Sequence, residues 1–328
     1  MEVNCAGCAG CCLDWRGLLE SEVNDGSTDS PRTDETGASD DDSPSVRRQR
    51  GSLGKDAGSR RASIDDVANF VPLTREEVRA FLEAGYAAAL TPRFWRAQDE
   101  HEAVAVDGYD LAAVAGRPAF FVGLRKPPKP VAPFELDEPV WLPACVFLDP
   151  TTLQCRIHGD DLFPAECGAY PAHNLTLEAE TECERVEAAF GGERLLEADA
   201  DEDPADLLLG SQAIGEKLFC HPEPDLLEGV IDRLAAGAAT AEDRTTCLEV
   251  AAASSPGTLA ISEHHREWAR ERALEAVDDD EDGSWVGPAI HEWHRRRERA
   301  DGVPAPDVAG ELEEARGAPE TPGWDDLE

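Results

Sequence analysis

Four cysteines fall within the first twelve residues, Cys5, Cys8, Cys11 and Cys12, in the spacing C-x-x-C-x-x-C-C. Three more follow in a second dense segment, Cys145, Cys155 and Cys167, with Cys183 a little beyond. Thiolates two residues apart let one short loop present several soft donors to a single metal centre, which is how structural zinc and iron–sulfur sites are built. Isolated core cysteines have no need of that spacing. Metal binding is therefore the expectation around which the rest of the chain is read.

Charge is the second constraint. Asp and Glu total 69 against 30 Lys and Arg, a net charge of −39, and lysine is confined to Lys55, Lys126, Lys129 and Lys217. Acidity with few aromatics signals disorder in places, but along most of the chain the acids are interleaved with amphipathic apolar patterns, as on a folded acidic surface. Such a surface repels itself in dilute buffer; in molar salt the screening length drops to roughly 3 Å and the repulsion fades. Acid-rich, lysine-poor chains of this kind resemble the proteins of salt-accumulating halophiles, so a haloarchaeal cytoplasm and unfolding on desalting are expected. The same charge argues against nucleic acid as a partner, because phosphate contacts need a basic face. No apolar run reaches membrane-spanning length, and the N-terminus lacks the basic and hydrophobic stretches of a signal peptide. A cytoplasmic, reducing location follows, where clustered cysteines read as metal ligands sooner than as disulfides.

The apolar pattern divides the chain. Residues 21–63 are almost free of apolar side chains, acidic at Asp40, Asp41 and Asp42 and basic from Arg47 to Arg61, and read as a disordered insertion. Thr74 and Glu77 form a capping box for a helix with Val78, Phe81, Leu82 and Tyr86 on one face, running to Leu90. Ala119–Val122 is a strand candidate. Further helices are expected from Asp203-Pro204 to Leu218, from Pro224 to Leu234, from Thr258 to Val277 and from Pro288 to Ala300. Beyond Asp301, proline, glycine and glutamate predict a flexible tail.

Between Cys145 and Cys155 the turn Asp149-Pro150-Thr151-Thr152 lies between apolar flanks. Folded as a hairpin, this segment sets Cys145 almost opposite Cys155, and Pro164 lets the chain return so that Cys167 joins them. The remaining ligands are expected from the N-terminal box.

Taken in order, Cys5-Ala-Gly-Cys8-Ala-Gly-Cys11-Cys12, Cys145-Val-Phe-Leu, Cys155-Arg-Ile-His158 and Pro164-Ala-Glu-Cys167-Gly-Ala-Tyr170-Pro171 resemble the YkgJ-type cysteine-cluster family, described as a zinc- or iron-chelating domain. The resemblance covers roughly residues 1–20 and 64–185. It implies that Cys183 completes a set of eight ligands. His158, Phe163 and Gly168 depart from it, standing where that family usually has a tyrosine and two arginines. Some relatives with this box are linked to protein lysine methylases acting on flagellin.

Adjacent Cys11 and Cys12 are expected to diverge, so eight thiolates suit two ions, or one iron–sulfur cluster plus one zinc. Thiolate sites hold zinc and iron–sulfur clusters alike; a closed all-cysteine site favours zinc. Cys220 and Cys247, on expected helices and without spaced partners, read as buried thiols. Other metal-like signals fail. Asp278–Gly283 imitates a calcium loop whose twelfth position is Ala289 instead of glutamate. His291-Glu292-Trp293-His294 spaces its histidines three apart, unlike a zinc protease helix, and His264 and His265 read as surface residues. His158 and His173 lie inside the cysteine segment, where each could ligate or orient a ligand.

The expected fold is α+β: an irregular metal-organised core with a β-hairpin and short helices over residues 1–20 and 64–190, a helical region over 191–300 and a tail over 301–328. The expected function is chelation of zinc or iron, including a 4Fe–4S cluster, by Cys5, Cys8, Cys11, Cys12, Cys145, Cys155, Cys167 and Cys183. An iron–sulfur-dependent protein-modifying enzyme and a metal storage or delivery protein are the alternatives. Metal ions are the expected partners, with no membrane.

Overall fold

Alternating apolar residues build the central element. In a computed structural model that describes residues 2–19, 62–176, 179–197, 215–278, 284–299 and 302–321, strand β5 (Arg117–Leu124) buries Phe120, Val122 and Leu124. It pairs antiparallel with β2 (Leu90–Phe94) in the register Pro92↔Val122 and Phe94↔Phe120. The sheet continues through β4 (Tyr109–Val114) to β3 (Ala103–Val106), and β9 (Phe219–Cys220) also pairs with β5. Two smaller ribbons join β6 (Pro128–Val131) to β7 (Val140–Pro143), and β1 (Glu2–Val3) to β8 (Leu195–Glu197). Helices and antiparallel strands together make the fold α+β.

Helix α1 (Arg75–Glu83) starts at the expected capping box: Thr74 Oγ1 accepts from Glu77 N–H, and the Glu77 carboxylate accepts from Thr74 N–H. It buries Val78, Phe81 and Leu82. It ends at Ala84 rather than Leu90, because Gly85 takes a left-handed turn (φ +77°) and β2 begins at Leu90. Short helices α2 (Ala165–Ala169), α3 (Ala172–Thr176) and α4 (Glu182–Phe190) follow the second cysteine segment.

In the C-terminal half, Pro224–Leu227 forms a single 3-10 turn, and Gly229 (φ +72°) separates it from α5 (Val230–Ala235). Cys247 lies on a helix as expected, α6 (Ala241–Ala253), whose bounds the apolar pattern does not set. Cys247, Leu248, Val250, Ala251 and Ala252 are all fully buried on it, against α1, β2 and α7 (Glu263–Asp278). A helix covered on all sides has no amphipathic period to read. Helix α7 begins at Glu263 rather than Thr258, since Ile261 bridges back to Ser254. Helix α8 (Val286–Arg299) lies where one was expected. The helix expected from Asp203 falls almost wholly outside the described residues, as does the insertion 21–63 apart from Ala62 and Ser63. Cys220 lies on strand β9, not on a helix. One buried apolar cluster runs from Cys8 and Leu13 through the sheet to α6, α7 and α8.

The expected tail is instead held by helix α9 (Pro306–Glu314). Fully buried Glu313 receives Lys129 Nζ at 2.7 Å, Arg156 Nε at 3.1 Å and Trp293 Nε1 at 3.2 Å. Arg156 Nη1 donates to Pro319 O at 2.5 Å, and Thr321 Oγ1 donates to Asp149 Oδ2 at 3.0 Å. Composition suggested a tail because it is blind to a buried carboxylate with three donors. Among the described residues no helix is long and apolar enough to cross a membrane.

Candidate metal centre

The N-terminal box is a run of tight turns. Cys8 N–H donates to Cys5 O at 3.0 Å and Cys12 N–H to Ala9 O at 2.8 Å, closing a 3-10 turn over Gly10–Cys12. Gly10 is needed there: a Cβ would meet Val186 Cγ2 of α4 at 2.7 Å and would sit 3.6 Å from Cys8 Sγ. The box thus lies directly on α4, whose own capping box at Thr181 and Glu184 sets Cys183 in its first turn. Glu182 braces the contact, accepting from Trp15 Nε1 at 2.6 Å and Asn69 Nδ2 at 3.1 Å.

The other side of the box docks on the second segment. Cys145 N–H donates to Cys12 O at 2.8 Å, Asp14 N–H donates to Pro143 O at 2.8 Å, and Leu13 bridges Ala144. The loop from Cys145 to Arg156 is not the hairpin expected. Its register pairs Leu148 with Cys155, closed by Asp149 N–H to Gln154 O (2.9 Å) and Arg156 N–H to Phe147 O (2.8 Å). Cys145 opens a separate turn in which Leu148 N–H donates to Cys145 O at 2.9 Å. Leu153, at φ +56°, shortens the reversal and shifts the pairing. Cys167 rides on α2, whose first N–H, from Ala165, donates to Glu77 Oε1 at 2.8 Å. Lys217 pairs with the preceding Glu166.

Four separate segments carry the eight sequence-predicted cysteines, and several pairs of these thiols act on one another's charge. Cys5 interacts with Cys8 and Cys11, and Cys183 with Cys5, Cys8 and Cys11. Cys12 interacts with Cys11, Cys145 and Cys155, and Cys167 with Cys145, Cys155 and Cys11. Cys11 and Cys12 are neighbours in the 3-10 turn, and each thiol acts most directly on the other. Burial pushes the thiols of Cys5 and Cys155 up to about 12 and raises Cys8, Cys145, Cys167 and Cys183. Cys11 is the exception, lowered chiefly by the hydrogen bond with Cys12.

Two features oppose the burial penalty. Cys8, Cys145 and Cys155 each receive the backbone N–H two residues on, from Gly10, Phe147 and Ile157. A donor aimed at sulfur favours the thiolate. Cations provide the second. Arg194, 8% exposed, donates from Nη1 to Ala6 O at 3.0 Å and favours the ionised forms of Cys5 and Cys8. Its buried Nε has no hydrogen-bond partner among the described residues. Lys126 reaches Cys11 O with Nζ at 3.4 Å and favours ionisation of Cys11, Cys145 and Cys167. Neither cation pairs with a carboxylate among the described residues.

Several candidates lie elsewhere. His158 is exposed against the Phe163 ring, 4.9 Å between centroids, and His173 Nδ1 faces Glu166 Oε1 at 3.7 Å. Cys220 and Cys247 are buried outside the cluster. The His265 ring meets Ser262, and Asp279–Gly283 of the acidic run fall outside the described residues. Sequence reasoning missed Arg194 and Lys126, isolated cations in no motif. The scarcity of lysine, with Lys126 and Lys129 flanking a Pro-Pro pair, was the available signal.

Among the described residues, no group of three or more His, Cys, Asp or Glu side chains is arranged so that it could hold a metal ion. The donor set nevertheless fits a soft ion. Sulfur is the shared atom type, and Arg194 and Lys126 favour the ionised thiols where Glu182 and Glu187 oppose them. A bound ion would ionise its thiols outright and cross-link the segments that carry them. A cavity of about 280 Å³ elsewhere is lined by Glu292, Arg295, Arg296, Arg299, Gly302, Val303 and Pro304, without a cysteine.

No curated protein and no solved structure significantly matches the chain. A family model matches residues 1–325. The chain belongs to that family, DUF7531, a family of unknown function.

Proposed function

We propose that this chain is a metal-binding protein that holds zinc or iron, the iron as an iron–sulfur cluster, through Cys5, Cys8, Cys11, Cys12, Cys145, Cys155, Cys167 and Cys183. The carrying observation is that the N-terminal box docks by backbone hydrogen bonds on the Cys145 segment and packs on α4, so that thiols of the box, the 145–156 loop, α2 and α4 act on one another with Arg194 and Lys126 alongside. A buried thiol cluster without metal gains little from Arg194 or Lys126; a tetrathiolate centre, negatively charged overall, gains from both. The resemblance to the cysteine-cluster family supports the same reading. The metal acts structurally, tying the box to the loop and to α4, so that binding free energy is partly folding free energy. The acidic, lysine-poor surface supports a salt-rich cytoplasm, where thiols stay reduced.

The test is anaerobic purification in concentrated potassium chloride, followed by elemental analysis and an assay for acid-labile sulfide. Zinc without sulfide, or iron with it, is expected. A folded, reduced protein free of transition metal would overturn the reading.

A further inference from the structure

On helix α8 the residues Glu292, Arg295, Arg296 and Arg299 stand at i, i+3, i+4 and i+7, which places them on one helical face. Glu292 is the buried member, 7% exposed, and it braces two of the arginines. Arg295 Nε donates to its Oε2 at 2.8 Å, and Arg296 Nε donates to its Oε1 at 2.7 Å. Arg295 also meets the carboxylate with Nη2. Arg296 is held a second way, its guanidinium 5.9 Å from the centroid of the fully buried Trp293 ring, whose Nε1 donates to Glu313 at 3.2 Å. A guanidinium carries five N–H donors. Among the described residues, Arg295 Nη1 and both Nη atoms of Arg296 stay uncommitted, and Arg299 pairs with no carboxylate.

These three arginines line one cavity of about 280 Å³, faced on its other side by Gly302, Val303 and Pro304, just before α9. Three guanidinium groups against one carboxylate leave two positive charges in excess, on a chain whose net charge is −39. Basic residues at a helix C-terminus suit its dipole, which accounts for Arg297, a neighbour that lines no part of the cavity. The dipole does not account for a buried carboxylate that fixes two guanidinium groups at the cavity wall. We infer that this cavity binds a phosphate dianion, either free or carried by a small phosphomonoester. Arginine forks match phosphate oxygens in pairs, and a phosphomonoester carries about −1.5 to −2 charges at neutral pH, which the excess answers. The volume sits at the lower edge of small-molecule sites, roughly 300–1,000 Å³. It leaves room for a short organic substituent and none for a nucleic acid or a peptide chain. No cysteine lines the cavity, so the site stands apart from the metal-binding reading.

The test is calorimetric titration of full-length protein with inorganic phosphate, at the lowest potassium chloride concentration that keeps the chain folded. Saturable binding of one phosphate per chain is expected, weakening as chloride is raised. Arg299→Met changes an exposed side chain and should lower the affinity about 10-fold or more, as should Arg295→Met. Arg297→Met, equally exposed but outside the cavity, should change nothing. Glycerol phosphate separates the two sources of the dianion. An affinity no higher than that of inorganic phosphate assigns free phosphate; a higher one assigns an ester whose organic part fills the remaining space. No saturable binding by folded protein would overturn the site, as would equal losses in Arg297→Met and Arg299→Met.

Discussion

The loop from Cys145 to Arg156 takes part in two polar clusters of different construction, one buried around Glu313 and one partly exposed around the cysteines. Around Glu313 most polar groups are answered: Lys129 and Arg156 pair with the carboxylate, Lys129 Nζ also donates to Val146 O and Leu148 O, and Trp293 Nε1 donates as well, while Arg156 Nη2 has no hydrogen bond among the described residues and lies 3.4 Å from Asp149 Oδ2. Around the cysteines the accounts stay open, with raised thiols, an orphaned Arg194 Nε, and Lys126 facing sulfur without a carboxylate. A satisfied buried network fixes geometry and binds nothing. An unsatisfied one of matched chemistry is where a ligand belongs. The closed cluster pins α9 to the back of the loop whose front sulfurs belong to the open one.

The largest effect should come from opening the closed cluster. Glu313→Gln leaves Lys129 with an uncompensated buried charge, while Arg156 keeps Asp149 and Glu314, and should cost about 3–5 kcal/mol, read from denaturant unfolding at fixed salt, while the metal content of the folded fraction stays unchanged. A cost below 1 kcal/mol would mean that α9 is not latched as described. The open cluster should respond in the opposite way. Lys126→Met should weaken metal binding about 10- to 100-fold, yet leave metal-free protein no less stable, because burial already holds the Lys126 ammonium below its ordinary value. Loss of stability in the metal-free state would make Lys126 a structural residue.

Smaller effects lie away from both clusters and calibrate them. Thr240→Ala removes the cap of α6, where Asp243 N–H donates to Thr240 Oγ1 at 3.2 Å, and should cost about 1 kcal/mol with metal content unaffected. The smallest is a pH effect. Arg233 holds the Asp243 carboxyl down at about 2, against an ordinary 3.8, through bonds of 2.5 and 2.7 Å. A carboxyl depressed in the folded state contributes stability that is complete above pH 3.8 and is lost as pH falls through 2. Asp243→Asn should therefore flatten the acid side of the stability curve between those limits, modestly, because Arg233 is 44% exposed and salt screens the pair. An unchanged acid limb would show that the pair is not maintained in solution.

Much of the candidate site was legible because thiol spacing is a local signal. The box at Cys5–Cys12 and the later cysteines could be grouped without knowing the fold, and backbone hydrogen bonds dock the box on the Cys145 segment, although no three of these side chains are arranged to hold an ion among the described residues. Capping boxes are local too, which is why α1 starts where Thr74 and Glu77 indicate. What escaped depends on partners distant in sequence. Helix α6 is buried all round from Cys247 to Ala253, with Glu249 among the buried residues, and so has little period. Helix α9 is held by Glu313, whose partners Lys129 and Arg156 lie more than 150 residues away. The register of the 145–156 loop turns on a single left-handed residue, Leu153. Arg194 and Lys126 acquire meaning only when β8 and the Lys126-Pro127-Pro128 segment are folded against the thiols.

The central claim is that these sulfurs bind metal directly, and X-ray absorption at the zinc or iron edge of anaerobically purified protein tests it most closely. The account predicts a first shell of sulfur alone, with distances near 2.3 Å if the ion is zinc. A shell of nitrogen and oxygen, or no absorbing metal in protein that is folded and reduced, would contradict it.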